Sequence, residues 1–157
     1  MTDPDDIRAF VRIDGRITTS GRLQEADPAR LAAIGVRHVI NLALDEHPDA
    51  LPEAATRMAE AGLRYTHIPI PFDAPTDAHY AAFVAALEDG DEPVHVHCIA
   101  NFRVSAFFYR YNRDRRGMSA AGARAIMERV WTPETINIPH AQAWAAFVAR
   151  DPIGENE

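Results

Sequence analysis

The chain of 157 residues carries 23 acidic and 16 basic side chains, a formal charge of −7, and 47% of it is apolar. That is enough chain to bury a core in one domain, and the negative field disfavours nucleic acid and anionic membranes as partners. Cys98 is the single cysteine, so no intrachain disulfide can form and a stapled secreted scaffold is excluded. The opening MTDPDDIRAF is acidic and shows no basic-then-apolar signal pattern, which makes the cytoplasm the expected location. The longest apolar run, 80–87, is too short to span a bilayer. Both tails, with Asp3, Asp5 and Asp6 at one end and 154–157 at the other, are expected to fray around an ordered core of about 8–150.

In chain order, Gly35 separates a helical pattern from the β-rich run 36–42, and Gly62 does the same before 63–68. Thr76 is placed to cap a helix whose buried stripe is Tyr80, Phe83, Val84 and Leu87, spaced i, i+3, i+4 and i+7. Gly90 follows that helix and precedes a third β-run, Val94–His97. The stripe spacing recurs at Val104, Phe107, Phe108 and Tyr111 and stops at Gly117. Ser119 caps a further helix with Ala123, Ile126, Met127 and Val130 on one face, and a last helix carries Trp144, Phe147 and Val148. Helices alternating with β-runs predict one α/β domain over 1–157. Its three layers surround a four- or five-stranded, mostly parallel sheet, with a helical C-terminal third.

Residues 94–105 read V-H-V-H-C-I-A-N-F-R-V-S. A β-run stops at Cys98 and a helical stripe starts at Val104, so Ile99, Ala100, Asn101 and Phe102 form a tight loop. Amides converging at a helix N-terminus bind anions and favour a nucleophilic thiolate. Arg103 adds a planar guanidinium that can meet two oxygens of a phosphate. Asn101 stands mid-loop, where a left-handed turn suits Asn better than any residue but Gly. The competing reading makes Cys98 a small buried hydrophobe and Arg103 a solvated residue of the first helical turn.

The loop resembles that of the cysteine-dependent protein tyrosine and dual-specificity phosphatase superfamily, marked by His-Cys, five residues, Arg, then Ser or Thr. R-I-T-T-S-G-R-L, V-R-H-V-I-N-L, A-G-L-R-Y-T-H-I-P-I and R-R-G-M-S extend the resemblance to small bacterial dual-specificity-like phosphatases over most of 10–150. The pattern departs at one place. Only four residues separate Cys98 from Arg103, Val104 takes the Ser/Thr position with Ser105 one step on, and Asn101 replaces the usual glycine. Dropping one residue would rotate the helix start by about 100° if the loss were taken up helically. Arg103 then reaches phosphate only if Asn101 absorbs the turn. Rhodanese-type sulfurtransferases often show this shorter interval.

The resemblance implies a protein tyrosine phosphatase-like fold and a phosphocysteine intermediate on Cys98, with Arg103 and the loop amides holding the phosphoryl oxygens. It implies no cofactor and no metal, and a phosphorylated protein or small ester as substrate. The expected substrate-binding set is Ile99, Ala100, Asn101 and Phe102, with His97 shaping the loop and Ser105 assisting release or bonding helix backbone. A general acid is expected on a loop upstream of the cysteine strand. Asp73, in I-P-I-P-F-D-A-P-T-D, is the first candidate, and Asp77, Asp45 and Glu46 are alternatives. His95 shares a strand face with His97, but two histidines make no metal site. Arg110, Arg113, Arg115 and Arg116 read as a solvated helix face. A phosphate-binding module without turnover and a sulfurtransferase using Cys98 are the rival functions.

Overall fold

The computed structural model describes residues 2–152. Its elements run β1 (Val11–Arg12), β2 (Ile17–Ser20), α1 (Asp27–Ala33), β3 (His38–Asn41), α2 (Ala54–Glu60), β4 (Arg64–His67), α3 (Asp77–Leu87), β5 (Val94–His97), α4 (Phe102–Asp114), α5 (Ala120–Met127) and α6 (Ala141–Val148). The sheet order is β1-β2-β5-β3-β4, parallel except for the β1–β2 pair. The expected mostly parallel α/β sheet is therefore present, with five strands. β5 lies at its centre, and its carboxyl end leads directly into the Cys98 loop, where crevices of such sheets form.

The V-H-V-H alternation of β5 sorts its side chains by face, as a period of two requires. Val94 and Val96 join the larger core with Phe83, Phe107, Phe108, Trp144 and Phe147, under α3 to α6. The opposite face is covered by α1 and α2, with Leu31, Val39, Met58 and Leu63 fully or nearly buried. Phe83 packs edge-on against Phe107 and Phe108 at 5.5 and 5.1 Å, so truncating it to Ala would cost about 3–5 kcal/mol. Thr76 caps α3 as its sequence position suggests. Its Oγ1 accepts from the His79 amide, and His79 Nδ1 accepts from the Thr76 amide in return.

Two expectations are corrected. The N-terminal segment is tied down rather than frayed: Asp3 makes a bidentate pair with Arg12 at 2.6 and 2.8 Å, Asp6 pairs with Arg30, and Ile7 is buried. Residues 154–157, the other expected tail, lie outside the described residues. Arg110 is not on a solvated face. It is fully buried, with its guanidinium between the rings of Tyr80 and Phe147 at 4.3 and 4.6 Å and Nη1 on Asp77 at 3.0 Å. The cause is that α4 is central, with ten of its residues buried. Arg113, Arg115 and Arg116 pair with Asp114, Glu88 and Asp14.

Candidate active site

Cys98 follows β5 directly and is 1% exposed. Its amide donates to the Ser20 carbonyl at 3.3 Å, and the Arg22 amide donates to the Ile99 carbonyl at 2.9 Å. β2 and the turn after it therefore hold the loop's first half. Gly21 is required for this approach, since a Cβ there would lie 2.5 Å from the Ile99 oxygen.

The second half is held by Asn101, which is left-handed with φ 68 and ψ 6. The shortened loop thus closes as the sequence argument requires, with Asn101 taking the turn and Phe102 starting α4. The side chain adds what a glycine could not. Nδ2 donates to the Ala9 carbonyl at 2.9 Å and to Thr19 Oγ1 at 3.1 Å. The N-terminal segment and β2 are consequently built into the loop.

Arg103, in the first turn of α4, is 7% exposed. Its guanidinium faces the ring of Phe72 at 5.3 Å, and among the described residues it makes no hydrogen bond or ion pair. A buried cation without a counter-charge is costly, by several kcal/mol per ion. An anion delivered to this loop would offset that cost.

The histidines divide. His95 has both nitrogens satisfied, with Thr18 Oγ1 on Nδ1 and Ser20 Oγ on Nε2, each at 2.8 Å. Ser20 donates to the Gly21 carbonyl, so His95 Nε2–H donates to Ser20 and Nδ1 accepts from Thr18. Burial holds its pKa well below the ordinary value, so the ring is neutral. His97 Nδ1–H donates to the Cys98 carbonyl at 3.3 Å, and its buried Nε2 has no hydrogen-bond partner among the described residues. Burial lowers its pKa to about 4. His97 therefore acts on the loop as a neutral donor and not as a cation.

Asp73 lies in the turn 71–74, closed by the Ala74 amide on the Pro71 carbonyl at 3.2 Å. It is exposed, and among the described residues its carboxylate has no hydrogen-bond or ion-pair partner. Its neighbour Phe72 is the residue whose ring covers Arg103. Asp77 is placed differently, bonded to Arg110 at 3.0 Å and Arg150 at 2.9 Å. The Arg110 hydrogen bond leads in holding its pKa low, so it is a poor proton donor. Asp45 and Glu46 are exposed, and Asp45 stands 3.9 Å from His67 Nδ1. Ser105 Oγ donates to the Phe102 carbonyl at 3.2 Å, within its own helix.

Among the described residues, no group of three or more His, Cys, Asp or Glu could hold a metal ion. No helix there is long and apolar enough to cross a membrane. Phe72, Trp131 and Ala9 carry no functional signal in the sequence, and Trp144 reads there only as core. Phe72 and Trp144 are clustered aromatics, a signal that core residues share. The ties from Ala9 and Thr19 bridge about 80–90 residues and leave no local pattern.

A central parallel strand that delivers a cysteine into a loop sealed by a buried arginine defines the class: this is the cysteine-based protein tyrosine and dual-specificity phosphatase superfamily. Within that class, residues 7–110 match the family model described as the phosphatase-like domain of beta-lactamase hydrolase-like protein, and the chain belongs to that family. A DUF442 protein of Shewanella putrefaciens CN-32 is 32% identical, with a TM-score of 0.78 over 91% of this chain and 90% of that one. TpbA of P. aeruginosa, in a crystal structure with pTyr, is 18% identical with a TM-score of 0.72, over 95% of this chain and 87% of that one. Tk-PTP in its active form is 21% identical with a TM-score of 0.71, over 89% and 95%. At those two identities the likeness is one of fold. No curated protein gives a match.

Proposed function

We propose that this chain is a cysteine-dependent phosphatase acting on aryl phosphate monoesters, phosphotyrosine-like groups among them, from the cytoplasm and as one domain. The observation that carries the reading is Arg103, a buried residue in the first helical turn after Cys98 whose guanidinium makes no hydrogen bond or ion pair among the described residues. TpbA has been crystallised with pTyr in the same fold, which supports a phosphorylated aromatic substrate.

In this mechanism the Cys98 thiolate attacks phosphorus as the phosphorus–oxygen bond to the leaving group breaks. Asp73 delivers a proton to the departing oxygen, and water then cleaves the phosphocysteine, releasing phosphate. Arg103 and the amides of 99–103 carry the charge on the three equatorial oxygens. The free carboxylate of Asp73, beside the Phe72 that covers Arg103, favours it over the arginine-bound Asp77. Sulfur transfer through Cys98 would need no general acid.

The test is Cys98→Ser, measured for binding of inorganic phosphate and for hydrolysis of p-nitrophenyl phosphate. Binding is expected within a few-fold of wild type and turnover is expected to vanish. Retained turnover would remove Cys98 as nucleophile.

A further inference from the structure

The turn that carries Asp73 has few backbone bonds of its own. Pro69, Pro71 and Pro75 supply no amide donors, and one hydrogen bond, Ala74 to Pro71, closes it. What fixes its position is Phe72. The Phe72 ring stacks on Trp144 of α6 at 5.5 Å, and the Trp144 Nε1–H donates to the Phe72 carbonyl at 2.6 Å. Trp144 is fully buried, wedged against Phe107 and Phe147 and edge-on to Trp131. Packing alone asks only for its ring. The N–H is aimed at the one carbonyl that precedes the acid.

We infer that Trp144 is a positioning residue for proton transfer, holding the 71–74 turn against the Arg103 side of the anion loop through the Phe72 carbonyl. The inference rests on the reading of Asp73 as the general acid. Without the Trp144 N–H, the Phe72 carbonyl loses its anchor and the carboxyl wanders from the leaving oxygen. Nucleophilic attack is untouched, because Cys98 and Asn101 are held by β2 and Ala9, and Trp144→Phe keeps an aromatic ring behind the Phe72 that covers Arg103. The defect should therefore appear only where the leaving group needs a proton.

The experiment compares phenyl phosphate, a poor leaving group, with p-nitrophenyl phosphate, a good one, for wild type, Trp144→Phe, Asp73→Asn and the double variant. Trp144→Phe is expected to lower kcat on phenyl phosphate at least about tenfold, while p-nitrophenyl phosphate stays within about threefold. The double variant is expected to match Asp73→Asn on phenyl phosphate, since both changes remove one function. If Trp144→Phe misfolds, both tryptophans can be replaced by benzothienylalanine, which has sulfur for the indole N–H. Among the described residues Trp131 Nε1 has no hydrogen-bond partner, so only the Trp144 bond is lost, and the same leaving-group split is expected. Equal losses on both substrates, or none, with Asp73→Asn showing the split, would overturn the role of Trp144 and leave the acid in place. If Asp73→Asn itself shows no split, the acid assignment falls and the inference falls with it.

Discussion

Replacing Asn101 by Gly and by Ala separates two contributions that the native residue combines. The Gly variant keeps a free path to φ 68 but loses the Nδ2 bonds to Ala9 and Thr19. At about 1 kcal/mol per net hydrogen bond, the loss is about 2 kcal/mol. Removal of the unpartnered Asn101 Oδ1 returns part of this. The Ala variant loses the same bonds and must also hold a left-handed backbone, at about 1–2 kcal/mol. That exceeds the roughly 0.4–1 kcal/mol that Ala gains over Gly through the unfolded chain. Ala should thus be the less stable by about 1 kcal/mol. For a chain of this size each kcal/mol moves Tm by roughly 2–4 °C, so Gly should melt below wild type by at most about 4–8 °C and Ala a few degrees lower again. Thermal unfolding in phosphate-free buffer reads this, and repeating it with orthovanadate reads the loop: both variants should show a smaller ligand-induced rise than wild type. An Ala variant as stable as the Gly variant would refute the strained-turn account. Undiminished stabilisation by vanadate in both would refute the coupling of the loop to Ala9 and Thr19.

Two further outcomes follow from the same geometry. Gly21→Ala places a methyl 2.5 Å from the Ile99 oxygen, so the loop must shift; kcat on p-nitrophenyl phosphate should fall at least about tenfold, and a wild-type rate would deny that the Gly21–Ile99 approach sets the loop. Stability should fall as pH drops from about 6.5 toward 4, because the unfolded chain takes up protons at His95 and His97 that the folded chain refuses. Here the folded pKa values lie below 6.5, His97 at about 4, so the stabilisation present above the unfolded value is lost on acidification. His97 alone accounts for about 3 kcal/mol at full protonation. A flat urea midpoint between pH 7 and 5 would contradict the buried neutral histidines.

The core periodicities were legible because they are local: the stripes at Tyr80, Phe83 and Leu87 and at Val104, Phe107, Phe108 and Tyr111 are buried in the structure, with Val84 of the first stripe partly buried. So was the Cys98 loop, where strand end, cysteine, arginine and helix start coincide within six residues, and where the missing residue made a left-handed Asn101 necessary. Arg110 was misread because helical spacing separates faces but cannot tell that both faces of α4 are covered. The anchoring of Phe72 by Trp144 was out of reach, since it joins positions 72 residues apart. The Asp3–Arg12 pair was hidden for another reason: it turns an acidic tail into part of the fold with no change in its local pattern.

The most direct measurement is to mix the protein with p-nitrophenyl phosphate, quench by rapid denaturation within one turnover, and locate any adduct by peptide mass spectrometry. The account predicts a burst of nitrophenolate matching the enzyme concentration and a phosphoryl group on the peptide containing Cys98. Steady release of phosphate with Cys98 unmodified in every quenched sample would contradict it.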